Sequence, residues 1–389
     1  MQSGAAPDVV VVGGGITGTA TAAFLAGAGA RVVLVERDGL ASGASGANSG
    51  VVQHPFDPVL AALYHETVAL YRDLATSSNA FDIGERPSGL LYISTAEDAA
   101  RRQAALIDAA FPELGAEVVG GAALRRLEPA AGEELWACRV DIGYPVMPGA
   151  STYAYATLAE ARGAVIRSGR AATLETQGDA VVGVRVGGQL IPAGAVVAAA
   201  GPWTPALLDP SGRWAPIAAR WGVVVEAELA APPRHVLEEA GIEAVLDAGG
   251  APGGLDAGSA EAGAAADLDE VEFSLVPLPG ASAVGSTFLP FEPEPAAWTE
   301  RILVRAARFV PGVADAPIRG VRACARPQSA DGRPLIGMVP GKRNLFVCSG
   351  HGPWGISTGP ASARLIADLV LGRAPSIPAE LDPARFGAP

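Results

Sequence analysis

The chain is poor in several things that would have narrowed its role at once. Three cysteines, Cys138, Cys324 and Cys348, are scattered over 389 residues without CxxC spacing. That pattern excludes a disulfide framework and a thiolate zinc site, predicts no metal centre, and fits a reducing, cytoplasmic setting. Lysine is scarcer still, with Lys342 alone, and the acidic residues outnumber the basic ones to give a formal net charge of -13 and a pI near 4.8. Such a surface repels nucleic acid and anionic membranes, so small molecules are the expected partners. No apolar run is of bilayer length, since the first is interrupted by glycines, and the opening "MQSGAAPD" lacks the basic region of a signal peptide. Internal repeats are also missing. The length exceeds what one simple core organises, which predicts two domains.

What the sequence does contain begins at residue 9 with "VVVVGGGITGTATAAFLAGAGARVVLVE". Val9 to Val12 read as a buried strand, Ile16 to about Ala28 as a helix of small residues stopped by Gly29, and Val32 to Glu36 as a second strand. Gly13, Gly15 and Gly18 satisfy GxGxxG at the junction of strand and helix. The first permits the tight turn, the second lets a pyrophosphate approach the backbone, and the third lets helix and strand pack closely. The free N–H groups and dipole of the helix start attract that phosphate. Glu36, 18 residues beyond Gly18, closes the second strand where its carboxylate can accept hydrogen bonds from ribose hydroxyls. The motif by itself serves NAD or FAD. The long loop of small residues that follows, "RDGLASGASGANSGVVQHP" (37 to 55), suits a chain wrapped around an extended flavin.

Further pieces are "AVVAAAGPWTPAL" (195 to 207), "RPQSADGRPLIG" (326 to 337) and "NLFVCSGHGPWGISTGPASARLIADLVLG" (344 to 372). With the N-terminal fingerprint and "GASGANSG" (43 to 50), these make the chain resemble the FAD-dependent amino acid oxidase superfamily of glycine oxidase, sarcosine oxidase and D-amino acid dehydrogenase. The resemblance covers most of the chain. It implies an α/β fold, with a discontinuous Rossmann-like FAD-binding domain (1–84, 146–214 and 321–389). An α+β substrate domain with an antiparallel sheet would take 85–145 and 215–320. Within the latter, 220–229, 271–279 and 281–288 read as strands and 298–310 as an amphipathic helix, while 163–190 reads as a small meander. The Gly/Ala-rich, acidic segment 247–270 reads as a flexible exposed insertion.

The implied activity is oxidation of the C–N bond of an amino acid or secondary amine, by hydride transfer to flavin N5, to an imine that water hydrolyses. Oxygen or another acceptor would take the electrons. Two alternatives stay open at this point: oxidation of a 2-hydroxy acid or polyol phosphate, and a flavin subunit of a hetero-oligomeric dehydrogenase.

The resemblance also implies the site. FAD contacts fall to Gly13, Gly15, Ile16, Thr17, Gly18, Glu36, Arg37, Ser42, Ala44, Ser45, Asn48, Ser49, Gly50 and Val51. Further along they fall to Ala172, Ala200, Gly201, Gly350, His351, Gly352, Trp354, Gly355 and Ile356. Arg326 aligns with the carboxylate-binding arginine of the glycine oxidase-like members, a role that suits a planar pair of donors. His351 is placed at the flavin edge to contact the ring or assist amine deprotonation. Gln53 and Trp354, expected to line the substrate with Arg326, stand where sarcosine oxidase has charged substrate ligands, which shifts the carboxylate onto Arg326. Cys324, seven residues before Asp331, matches the spacing of a cysteine that holds flavin covalently in sarcosine oxidase. Lys342 is expected to be exposed, far from the role of the oxygen-activating lysine of that enzyme.

Overall fold

A computed structural model describes residues 6–242 and 271–389. The expected insertion at 247–270 therefore lies outside the described residues. The first strand, Val9–Val12, is central to a six-stranded sheet whose order is Leu335–Met338, Leu345–Ser349, Ala195–Ala198, Val9–Val12, Val32–Val35 and Val165–Arg167. All neighbours run parallel except the first pair. Both faces of this sheet are covered, which is why its strands are unbroken apolar runs. Val9, Val11 and Leu34 meet the helices, among them Ile16–Gly27 and Gly355–Val370, while Val10, Val12, Val33 and Val35 belong to a separate core shared with Val181, Val184 and Ile191. Those last residues come from a three-stranded antiparallel sheet, Ala172–Gln177, Ala180–Val186 and Gln189–Pro192. The expected meander at 163–190 is thus shorter at its start: Val165–Arg167 joins the parallel sheet instead, because its backbone pairs with Val33–Val35.

A second, eight-stranded sheet has the order Ile318–Ser329, Ile217–Ala227, Ser282–Thr287, Val271–Val276, Val236–Glu239, Leu90–Ser94, Trp136–Val140 and Glu117–Gly120. One face packs on the amphipathic helix Thr299–Ala307 through Val223, Val225, Phe273, Leu275 and Ile302. The sheet departs from the uniformly antiparallel expectation at one place, where Leu90–Ser94 and Val236–Glu239 run parallel. The expected boundary at 320/321 also cuts through a strand. Ile318–Ser329 pairs along its whole length with Ile217–Ala227, so Arg326 and Cys324 reach the site from the second sheet.

Candidate active site

Between the two sheets lies a cavity of about 680 Å3. At one end it is made of backbone. Gly13 adopts φ +118, and a Cβ there would run into the Ala199 carbonyl; a Cβ on Gly18 would meet the Gly13 carbonyl. These two glycines let the strand, the helix and the strand Ala195–Ala198 close on one another, leaving the helix start open to the cavity. Glu36 Oε2 accepts from the Gly14 amide at 2.6 Å and Oε1 from the Asp38 amide at 2.8 Å, which fixes the carboxylate at the end of the second strand. Ser45 Oγ accepts from the Ile16 amide at 2.9 Å, and Asn48 folds the glycine-rich loop on itself, donating to the Ala44 and Ser45 carbonyls and accepting from the Gly50 amide. The Arg37 guanidinium stacks over Trp203 at 4.4 Å.

The cavity brings together residues far apart in sequence. Of the anticipated cofactor contacts, Gly13, Gly15, Ile16, Thr17, Glu36, Arg37, Ser42, Ala44, Ser45, Asn48, Ser49, Val51, Ala172, Ala200, Gly201, His351, Gly352, Trp354, Gly355 and Ile356 line it. Gly18, Gly50 and Gly350 do not. The glycine turns at 201 and 350 are joined by Ser349 Oγ, which donates to the Gly201 carbonyl at 2.9 Å. Lys342, expected to be exposed, is half-buried and lines the cavity. Its neighbour Arg343 is tied to Asp179 of the three-stranded sheet, so the lysine enters from that side.

At the other end the lining is side chains. Arg326 is half-buried; its Nη1 donates to the Thr287 carbonyl at 2.8 Å and its Nη2 to Ser286 Oγ at 2.7 Å, while the guanidinium lies 4.5 Å from the Phe288 ring centroid. It has no ion-pair partner among the described residues. Gly222 makes this possible, because a Cβ there would occupy the guanidinium's place. His351 is buried and its Nε2 has no hydrogen-bond partner among the described residues. Burial lowers its pKa to about 3, so the imidazole is neutral at neutral pH and a poor proton acceptor. Of its two expected roles, a neutral ring on the cavity wall suits the contact better than the help with amine deprotonation. Trp354 is buried in the wall. Cys324 is buried, with Sγ 3.7 Å from the Ala44 carbonyl, and desolvation raises its thiol pKa.

Sequence reading assigned the roof to the second sheet but did not name the residues it turns to the cavity. Glu238, Ser274, Ser286, Phe288 and Val224 all line the cavity. Gln53, expected at the substrate, lines the cavity too and donates from Nε2 to Glu238 Oε2 at 2.9 Å. A signal for Glu238 did exist, since the strand "VLEE" puts two acids on opposite faces of a short apolar element. Glu239 finds Arg305 at 2.6 Å; Glu238 finds no cation among the described residues.

The pieces fit an extended dinucleotide: a glycine cradle that a Cβ would fill, a terminal acid on the second strand, and an unpartnered imidazole nitrogen at the opposite end of the lining. The family described as "FAD dependent oxidoreductase" (DAO) matches residues 8–369. The chain belongs to this family, and FAD is its cofactor. Among particular relatives, it is 29% identical over 406 residues to glycine oxidase of Pseudomonas aeruginosa, covering 97% of both chains. It is 31% identical over 233 residues to D-amino acid dehydrogenase of Methylobacterium radiotolerans, covering 58% of this chain and 49% of that one. Among solved structures, glycine oxidase from Geobacillus kaustophilus superposes with a TM-score of 0.79 at 25% identity, over 97% of this chain and 98% of that one. Among the described residues no helix is long and apolar enough to cross a membrane.

Proposed function

We propose that this oxidoreductase oxidises the C–N bond of an amino acid or related secondary amine, the observation carrying this being Arg326. A guanidinium that lines the cavity without a counter-charge among the described residues, held by a carbonyl and a hydroxyl against an aromatic ring, suits a carboxylate. The names of the relatives, glycine oxidase and D-amino acid dehydrogenase, support the same class of substrate.

Bound FAD supplies the two-electron acceptor that turns the amine into an imine. The chain's own residues do the rest. Gly13, Gly15 and Ile16 present the phosphate turn, and Glu36 receives the ribose. Arg326 fixes the carboxylate, and Trp354 with Phe288 keeps water from the reacting carbon. His351 offers a neutral nitrogen to the cofactor's edge. Cys324 stays protonated through burial, and the reading is of FAD held without a covalent bond. Residues 1–84, 146–214 and 321–389 carry the cofactor and 85–145 with 215–320 the roof, with Ile318–Ser329 contributing to both. Three cysteines buried outside any disulfide support a cytoplasmic setting.

The test is to purify the protein, record its flavin spectrum, and mix it without oxygen with a panel of amines, amino acids and 2-hydroxy acids. Bleaching by amino acids is expected. Bleaching by hydroxy acids alone would transfer the assignment to alcohol oxidation, a reaction for which the depressed basicity of His351 makes a poor start.

A further inference from the structure

Glu238 is a buried carboxyl to which amine oxidation by the residues above gives no task. It is 6% exposed. Its one hydrogen bond among the described residues comes from Gln53, whose Nε2 also lies 3.3 Å from the Tyr92 hydroxyl. Burial lifts it to about 7. A carboxylate kept from water without a cation is costly, and that cost is relieved by a ligand that brings one.

Its place in the sheet says what the ligand looks like. Glu238 stands opposite Ser274 on the next strand, and Ser274 stands opposite Gly285 on the one after. The neighbouring Ser286 holds the Arg326 guanidinium. Glu238, Ser274, Ser286 and Arg326 all line the cavity. Glu238 therefore sits two strands from the anchor of the guanidinium, roughly 10 Å away. Two charge-assisted hydrogen bonds of about 2.8 Å, with the roughly 3 Å between a carboxylate oxygen and the nitrogen of an α-amino acid, come close to filling that interval.

We infer that Glu238 binds the amino group of the incoming amino acid and takes its ammonium proton, while Arg326 holds the carboxylate. The oxidation that follows rests on the function proposed above; the binding of an amino group does not. In the proton step an N–H bond breaks, an O–H bond forms on Glu238, and the electron pair stays on nitrogen, leaving the neutral amine that oxidation requires. The groups facing Glu238 are Gln53 from the loop after the glycines, Tyr92 from Leu90–Ser94 and Ser274 from Val271–Val276, with Cys324, Arg326 and His351 on the same cavity.

The experiment uses FAD-loaded wild type and Glu238→Gln, mixed anaerobically with size-matched probes: glycine against acetate, and L- and D-alanine against propionate. Affinity is read from the rapid shift of flavin absorbance before any bleaching, between pH 6 and 9. Wild type should favour the amino member of a pair. In the variant that member should weaken by about tenfold, whereas the plain carboxylate should tighten because an anion has left the cavity. The bleaching rate should rise through pH 7 in wild type and lose that limb in the variant. A merely structural role would weaken both probes together. That outcome, unchanged affinities, or a wild type without preference for the amino member would overturn the assignment. Inverted affinities without bleaching by any amino acid would sink the oxidation reading alone and leave Glu238 as the amino-group ligand.

Discussion

The two ends of the cavity are specified in different ways. The nucleotide end is made from backbone: amides at a helix start, carbonyls 1.9 and 2.2 Å from where a Cβ would stand, and one carboxylate held by two amides. The roof end is made from side chains on neighbouring strands, with Arg326 resting on Ser286 and Thr287 and Glu238 resting on Gln53. A backbone site tolerates no added atom at its glycines, whereas a side-chain site can be retuned one residue at a time. The first end should therefore break outright under substitution, and the second should change its preference.

The largest effect is expected from Gly13→Val. Positive φ and the Ala199 carbonyl both oppose the new side chain, and the purified protein should retain no FAD, as read from its visible spectrum and from a fluorescence titration. Retention of FAD at wild-type affinity would mean that the turn does not hold the pyrophosphate. At the roof, Arg326→Ala should raise KM for a carboxylate-bearing amine by roughly a hundredfold, about 2.7 kcal/mol, with FAD affinity kept. Steady-state kinetics beside the flavin titration separate the two ends directly, and an unchanged KM removes Arg326 from the substrate.

A smaller effect concerns stability. The folded-state pKa of Glu238 is raised from 4.5 to about 7, so the folded protein holds this proton more tightly than the unfolded chain. The resulting stabilisation is present below the unfolded value and is lost as pH rises through the folded one. Wild type thus carries a penalty of at most about 3 kcal/mol above pH 7. Glu238→Gln should melt higher than wild type at pH 8 and near it at pH 5, and a gap independent of pH would contradict a buried titrating carboxyl. The smallest expected change is at Cys324→Ser. Its spectrum should match wild type, and acid precipitation should leave a colourless pellet in both; a yellow wild-type pellet would show a covalent link.

The same contrast explains what was legible beforehand. Gly13, Gly15, Gly18 and Glu36 lie within one βαβ unit, where each residue type answers to a local requirement of turn, approach or strand end. The loop around Asn48 is readable for the same reason, since the side-chain hydrogen bonds of Asn48 close over two to four residues. Glu238 and Gln53 are 185 residues apart. Nothing local ties them, and only the parallel pairing of Leu90–Ser94 with Val236–Glu239 brings Tyr92 beside both. His351 lies on the cavity wall, and its lowered proton affinity was not legible beforehand, because desolvation depends on everything packed around a ring rather than on its sequence neighbours.

Arg322 sits on the same strand four residues before Arg326, donating to the Ala47 and Asn48 carbonyls while pairing with Glu226 of the adjacent strand. One side chain thus rivets the loop expected to embrace the flavin to the sheet expected to cover the substrate. Whatever tightens that loop tightens the cover too, so heat tolerance of the roof should climb with the fraction of molecules that carry flavin.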